Sequence, residues 1–152
     1  MRYLLTIHKN RIKYSPDNEI LPYMQWELEI RNVEQSFLNF STSGGGVLYP
    51  PNSFYKDILR EDLFCELAPY ADDIWFWAMC VLNNKKIKVV ENNIYKCLSV
   101  NKERDNGNTG EHTLFSINRT QNDVQLNNVL EYYPQIKKML LLELEKQNAT
   151  IS

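Results

Sequence analysis

Two carboxylates stand side by side at Asp72 and Asp73, directly ahead of the apolar run Ile74-Trp75-Phe76-Trp77-Ala78-Met79-Cys80-Val81-Leu82. If that run is a helix, acidic residues at its start satisfy orphan backbone N–H groups and suit the macrodipole. A carboxylate held there can also act as a general base, removing the proton of a hydroxyl group as its oxygen attacks an electrophile. Capping and catalysis are compatible, since one Asp can cap while the other works. Upstream, Gly44-Gly45-Gly46 leads into Val47-Leu48-Tyr49 and a rigid Pro50-Pro51 stop. A glycine run without side chains lets backbone approach a ligand closely, or simply makes a flexible turn. It lacks the spacing of a dinucleotide or Walker loop, so it is not read as a phosphate cradle.

Aromatic side chains are the next candidates. Tyr49 can stack or hydrogen-bond beside the glycine run, or belong to the core. Trp26, between the polar Gln25 and Glu27, is the better candidate for a platform under a ligand ring. Trp75 and Trp77 lie two apart, hence on different faces of a helix, and at least one belongs to the core. His8, Lys9, Arg11 and Lys13 form a small basic cluster that reads more often as a solvated face, though it could help neutralise a diphosphate.

The elements that must position these groups follow from pattern. Residues 2–7 read as a short strand with no local partner, and an orphan apolar edge is an aggregation hazard. Residues 8–21 read as a turn-rich hairpin or loop with Ser15-Pro16-Asp17-Asn18 at its tip. Pro22 suits a helix start over 23–30. Val47–Tyr49 reads as a strand, Asn52 or Ser53 as the cap of a helix reaching Leu59, and residues 60–68 as a second short helix broken by Pro69. Asp72 is expected to cap a helix from Asp73 to Leu82 that is apolar all round and therefore buried on most faces. Asn83-Asn84 ends it, and Lys86–Val90 alternates as a strand. Residues 99–111 read as a mobile loop. Two helices are expected at 123–133 and 136–146, with Asn122-Asp123 capping the first and Pro134 dividing them. The Leu-rich last helix needs a partner surface, in this chain or another.

Composition sets the outer limits. The chain has 152 residues, enough for one domain (1–152) with a sizeable core. A net charge of -2 provides no basic field for nucleic acid. No apolar run approaches the ~18 residues of a membrane span, so at most peripheral membrane contact is expected. Cys65, Cys80 and Cys97 contain no CxxC pair and read as reduced thiols, with Cys65 and Cys80 buried and inert. The start of the chain is too short an apolar segment for a signal peptide, and a cytoplasmic location is the expectation. On the same ground the Asn-x-Ser/Thr triplets at Asn39, Asn118 and Asn148 are taken as chance.

Several of these segments together resemble the acceptor-side half of a bacterial glycosyltransferase with the nucleotide-sugar fold called GT-A, family 2-like. The matching pattern is Gly45-Gly46-Val47-Leu48-Tyr49-Pro50-Pro51, Asp72-Asp73-Ile74-Trp75-Phe76, and Asn122-Asp123-x-Gln125-Leu126 running into Tyr132-Tyr133. Arg11-Ile12 and Pro22-Tyr23-x-x-Trp26 also fit, so the resemblance spans nearly the whole chain in order. It implies an α/β, partial GT-A-like domain, a short mixed sheet with flanking helices. It further implies transfer of a sugar from a nucleotide-sugar to a hydroxyl of a cell-surface glycan, with Asp73 as base and Asp72 in support. Gly44, Gly45, Gly46, Tyr49, Trp26 and Trp75 would bind substrate. Relatives of this fold grip a divalent metal, Mn or Mg, and the diphosphate through an Asp-x-Asp motif, and some add a late histidine, a role His112 could take. No Asp-x-Asp triplet occurs in this sequence. The expectation is therefore a carboxyl-terminal half that is inactive alone. Its nucleotide-binding half, and the neighbours of its first strand, would lie elsewhere. The rival expectations are a non-catalytic carbohydrate-binding or partner-docking module, and a chain that self-associates through its first strand and last helix.

Overall fold

The computed structural model describes residues 3–6, 9–28, 30, 32–42, 46–91 and 114–151. Among the described residues, five short strands and four α-helices make an α/β fold with a small mixed sheet. Strand β1 (Tyr3–Thr6) is not an orphan: it is the middle strand of a three-stranded sheet. It pairs antiparallel with β4 (Val47–Leu48) and parallel with β5 (Lys86–Val89). The registers Leu4↔Ile87 and Thr6↔Val89 turn one face of this sheet into the core, where all four side chains are buried. The edge hazard expected of the first strand is thus removed by partners far along the same chain. A second ladder joins β2 (Lys9–Arg11) antiparallel to β3 (Asn39–Ser41).

The turn at 15–18 forms as expected, with Asn18 at φ 62° and its N–H bonded to the Ser15 carbonyl. The helix expected over 23–30 does not. Only a single 3-10 turn, Tyr23–Gln25, follows Pro22, after which the chain extends so that Glu27 bridges Arg11. Neither Asn52 nor Ser53 caps a helix. Asn52 takes a left-handed φ of 58° after the proline pair, and Ser53 Oγ donates to the Pro50 carbonyl. A 3-10 turn at Lys56–Leu59 then leads into α1 (Glu61–Leu67), whose Leu63 and Leu67 face inward.

Helix α2 (Asp72–Leu82) is the central element, with seven of its residues buried, Ile74, Trp75 and residues 77–81. It packs against β3, the 56–59 turn, α3 (Leu114–Tyr132) and α4 (Pro134–Ile151). Asn84 ends it with φ 55°, the left-handed stop that a helix terminus favours. The last two helices are longer than the sequence pattern predicts. Pro134 sits at the first position of α4, where its missing N–H is harmless. The partner surface that α4 requires lies within the chain, since Ile136 and Leu140 are fully buried in the common core.

Among the described residues no helix is long and apolar enough to cross a membrane. The two described cysteines differ: Cys80 is buried as expected, but Cys65 is exposed on the outer side of α1. Cys65 should therefore react quickly with a thiol reagent in the native chain, while Cys80 reacts only on unfolding. Cys65→Ser should lower the fast-reacting thiol count by one and Cys80→Ser should leave it unchanged; the reverse pattern would contradict this placement of α1 and α2.

Candidate functional site

The amino-terminal end of α2 opens into a cavity of about 290 Å³. Its wall is built from three places in the sequence: Tyr23 and Met24 after Pro22, residues 71–74 at the start of α2, and Asn118, Arg119 and Asn122 on α3. Phe40 closes the floor. Asp72 is exposed and Asp73 half-buried, so both carboxylates reach the hollow from the first turn of the helix. Asp72 does not cap that helix: Ala71 holds the cap position, and no side-chain cap bond forms there. The apolar residue is set into the core and the carboxylates project beyond it.

The three places are locked together by polar contacts. Asp123 Oδ1 accepts the Tyr23 backbone N–H at 2.7 Å, so Asp123 ties α3 to the 22–26 turn from the middle of a helix rather than capping one. Gln125 Oε1 accepts the Tyr70 N–H at 2.8 Å, and Asn118 Nδ2 donates to the Tyr70 carbonyl at 2.9 Å. Asn128 Nδ2 reaches the Leu67 carbonyl at 3.4 Å. Four polar side chains of α3 thus satisfy backbone groups in the loops it covers, and so fix the loop that leads into Asp72.

Two phenols stand within electrostatic reach of Asp73. Burial raises the pKa of Tyr23, the Asp73 charge raises it further, and a hydrogen bond from Asn10 Nδ2 at 2.9 Å opposes the shift. Tyr49 is pushed up chiefly by burial, then by Cys80, Asp73 and Asp72. Both remain protonated at neutral pH and so keep a donor O–H beside the carboxylates. Tyr49 itself stacks in a triad with Phe54 and Phe76, at 4.8 and 5.9 Å between ring centroids, and does not line the cavity.

Other sequence candidates lie elsewhere. Trp26 offers no platform: it is 4% exposed, with its ring 4.9 Å from Tyr23 and 5.4 Å from Phe40 and its indole N–H donated to the Leu21 carbonyl. Gln25 and Glu27 point outward on either side of it, which is why its neighbours look polar. Trp75 is also core, 2% exposed, with its N–H on the Ile58 carbonyl, and so supplies no substrate contact. Gly46 is exposed with φ 97°, a conformation that requires glycine. Gly44, Gly45, His112, Cys97 and the loop expected at 99–111 lie outside the described residues. Met24, Phe40, Asn118 and Arg119 are lining residues that sequence reasoning missed. Asn118, Arg119 and Asn122 share a helix face at spacings of one and four, a signal legible only once α3 is known to start near residue 114.

No protein-family model, curated protein or solved structure matches the chain. Its chemistry has to be read from its own residues. Among the described residues no group of three or more His, Cys, Asp or Glu comes together to hold a metal, and Asp72 with Asp73 alone is an incomplete ligand set. A larger open cleft of about 880 Å³ lies between β5, α4 and the 27–35 segment. It holds no part of the carboxylate constellation, and two of its charged groups are bound to neighbours in the fold. Lys86 Nζ sits 2.9 Å from the buried Glu143, and Arg11 bonds Asn39 and Gln147. The smaller cavity is therefore the better candidate site, because its size suits one small ligand ring and its carboxylates point into it.

Proposed function

We propose that the chain is the acceptor-binding portion of a GT-A-like glycosyltransferase. The carrying observation is that Tyr23, Asp72, Asp73 and Asn122, far apart in sequence, line one small cavity, with Asp123 bracing it through the Tyr23 N–H. An acceptor sugar would lay an apolar face against Tyr23 and Met24 and point a hydroxyl at Asp73. Asp73 takes the hydroxyl proton as the oxygen bonds to the anomeric carbon of a nucleotide-sugar, and the bond from that carbon to the nucleotide diphosphate breaks. The Tyr23 hydroxyl, protonated at neutral pH, stands on the same wall as the two carboxylates. No step is routed through a metal, because the described residues do not form a site for one.

The test is binding and turnover by the purified 152-residue chain. Methyl glycosides should bind weakly, and Asp73→Asn should weaken them by about 10-fold or somewhat more, the scale of a hydrogen bond to a charged group. No nucleotide-sugar should be turned over by this chain alone. Glycoside binding indifferent to Asp73→Asn would favour a non-catalytic carbohydrate-binding module instead; turnover by the chain alone would overturn the acceptor-half reading.

A further inference from the structure

Asn118 is bonded on one side and orphaned on the other. Its Nδ2 donates to the Tyr70 carbonyl, and since a carbonyl can only accept, that contact fixes which way the amide faces. Its Oδ1 is then left covered and without a hydrogen-bond partner, one of two such buried side-chain atoms among the described residues. An orphaned buried acceptor is costly and calls for an explanation in what the site is built to take. Asn118 lines the same cavity as Asp72 and Asp73. Two neighbouring wall residues, Met24 and Arg119, are exposed.

From this we infer that Asn118 determines acceptor specificity, taking a hydrogen bond at Oδ1 from a second hydroxyl of the sugar whose first hydroxyl faces Asp73. The ligand class is a neutral polyhydroxyl ring, a pyranoside with two donor hydroxyls on one edge and an apolar face towards Tyr23 and Met24. The inference rests on the acceptor-site reading above and adds to it the residue that reads the sugar. A wall made to accept one particular hydroxyl discriminates strongly against the analogue that lacks it, because the acceptor is then left unsatisfied.

The probes are methyl α- and β-glycosides of glucose, galactose, mannose and N-acetylglucosamine, each with its monodeoxy derivatives, titrated into the full chain by calorimetry and NMR. At least one parent glycoside should bind about tenfold or more tightly than one of its deoxy forms, and Asn118→Leu should erase that ratio by weakening only the parent. In the unaltered chain the Asn118 side-chain amide resonances should shift with the parent and not with that deoxy sugar, a readout that needs no variant to fold. A purely structural Asn118 would lower affinity for parent and deoxy sugars equally, leaving the ratio intact, and that result overturns the inference alone. An undisturbed amide resonance on parent binding does the same. Failure of every glycoside to bind the unaltered chain overturns both this inference and the acceptor-site reading.

Discussion

Trp77→Ala should destabilise the chain by about 3–5 kcal/mol, read as a fall in the urea midpoint at constant slope. Trp77 has no exposed surface and sits in the buried stripe of α2 among Ala78, Met79, Cys80 and Val81, all equally sealed. Its ring lies 5.8 Å from Phe40, which in turn contacts Trp26 and Tyr23, so the indole anchors the aromatic row that backs the cavity. Truncation leaves a void in a close-packed core, which its surroundings can fill only in part. It also strands the Phe37 carbonyl, which the indole N–H reaches at 3.4 Å. Against a total stability of about 5–15 kcal/mol for a domain, such a loss is decisive. Trp77→Phe keeps an aromatic ring in the row and should cost less than half as much. A midpoint that barely moves in Trp77→Ala would mean that the inner face of α2 is not the core.

What the sequence revealed and what it hid divide along local and non-local physics. Helix α2 was legible because an unbroken apolar run between Asp72 and Asn83 can only be a buried element, and strand β5 because Lys86–Val89 alternates. The α/β class and small mixed sheet were expected from the family resemblance and hold in that coarse form. The place of β1 did not, since its partners at Val47–Leu48 and Lys86–Val89 are chosen by burial across the fold rather than by neighbours in sequence. The start of α3 was hidden for another reason. Ser116, Asn118, Thr120 and Asn122 are poor helix formers, and their polar side chains look like loop chemistry. Asn118 and Gln125 instead hold Tyr70, and Asp123 holds Tyr23, so tertiary contacts outweigh propensity. The same polarity that disguised the helix equips it to form a site wall. Asp72, Asp73, Tyr23 and Asn122 were singled out from sequence; Met24, Phe40, Asn118 and Arg119, which share the cavity with them, were not.

Stability should fall steeply as the pH rises above about 9, and Cys80 should account for a large part of that fall. Burial pushes its thiol up from 9.0 to about 12, with Lys85 pulling weakly the other way. Tyr14, Tyr49 and Tyr133 are raised as well, in each case chiefly by burial, and Tyr133 also through the hydrogen bond its hydroxyl donates to Asp57 at 2.9 Å. A group whose pKa is higher folded than unfolded keeps its proton more tightly in the native state. Its contribution is therefore fully present below the unfolded value, 9 for the thiol and 10 for the phenols, and is lost as the pH climbs towards the folded value. For Cys80 the whole window is worth about 4 kcal/mol, most of it lost by pH 11. Urea midpoints measured from pH 8 to 11 should drop throughout that range in the parent chain and more gently in Cys80→Ala, whose deficit at pH 8 should shrink or reverse by pH 11. Parallel curves would place the Cys80 thiol in contact with water, and with it the inner face of α2. The pH dependence thus follows from where the Cys80 thiol sits, sealed in the inner face of α2.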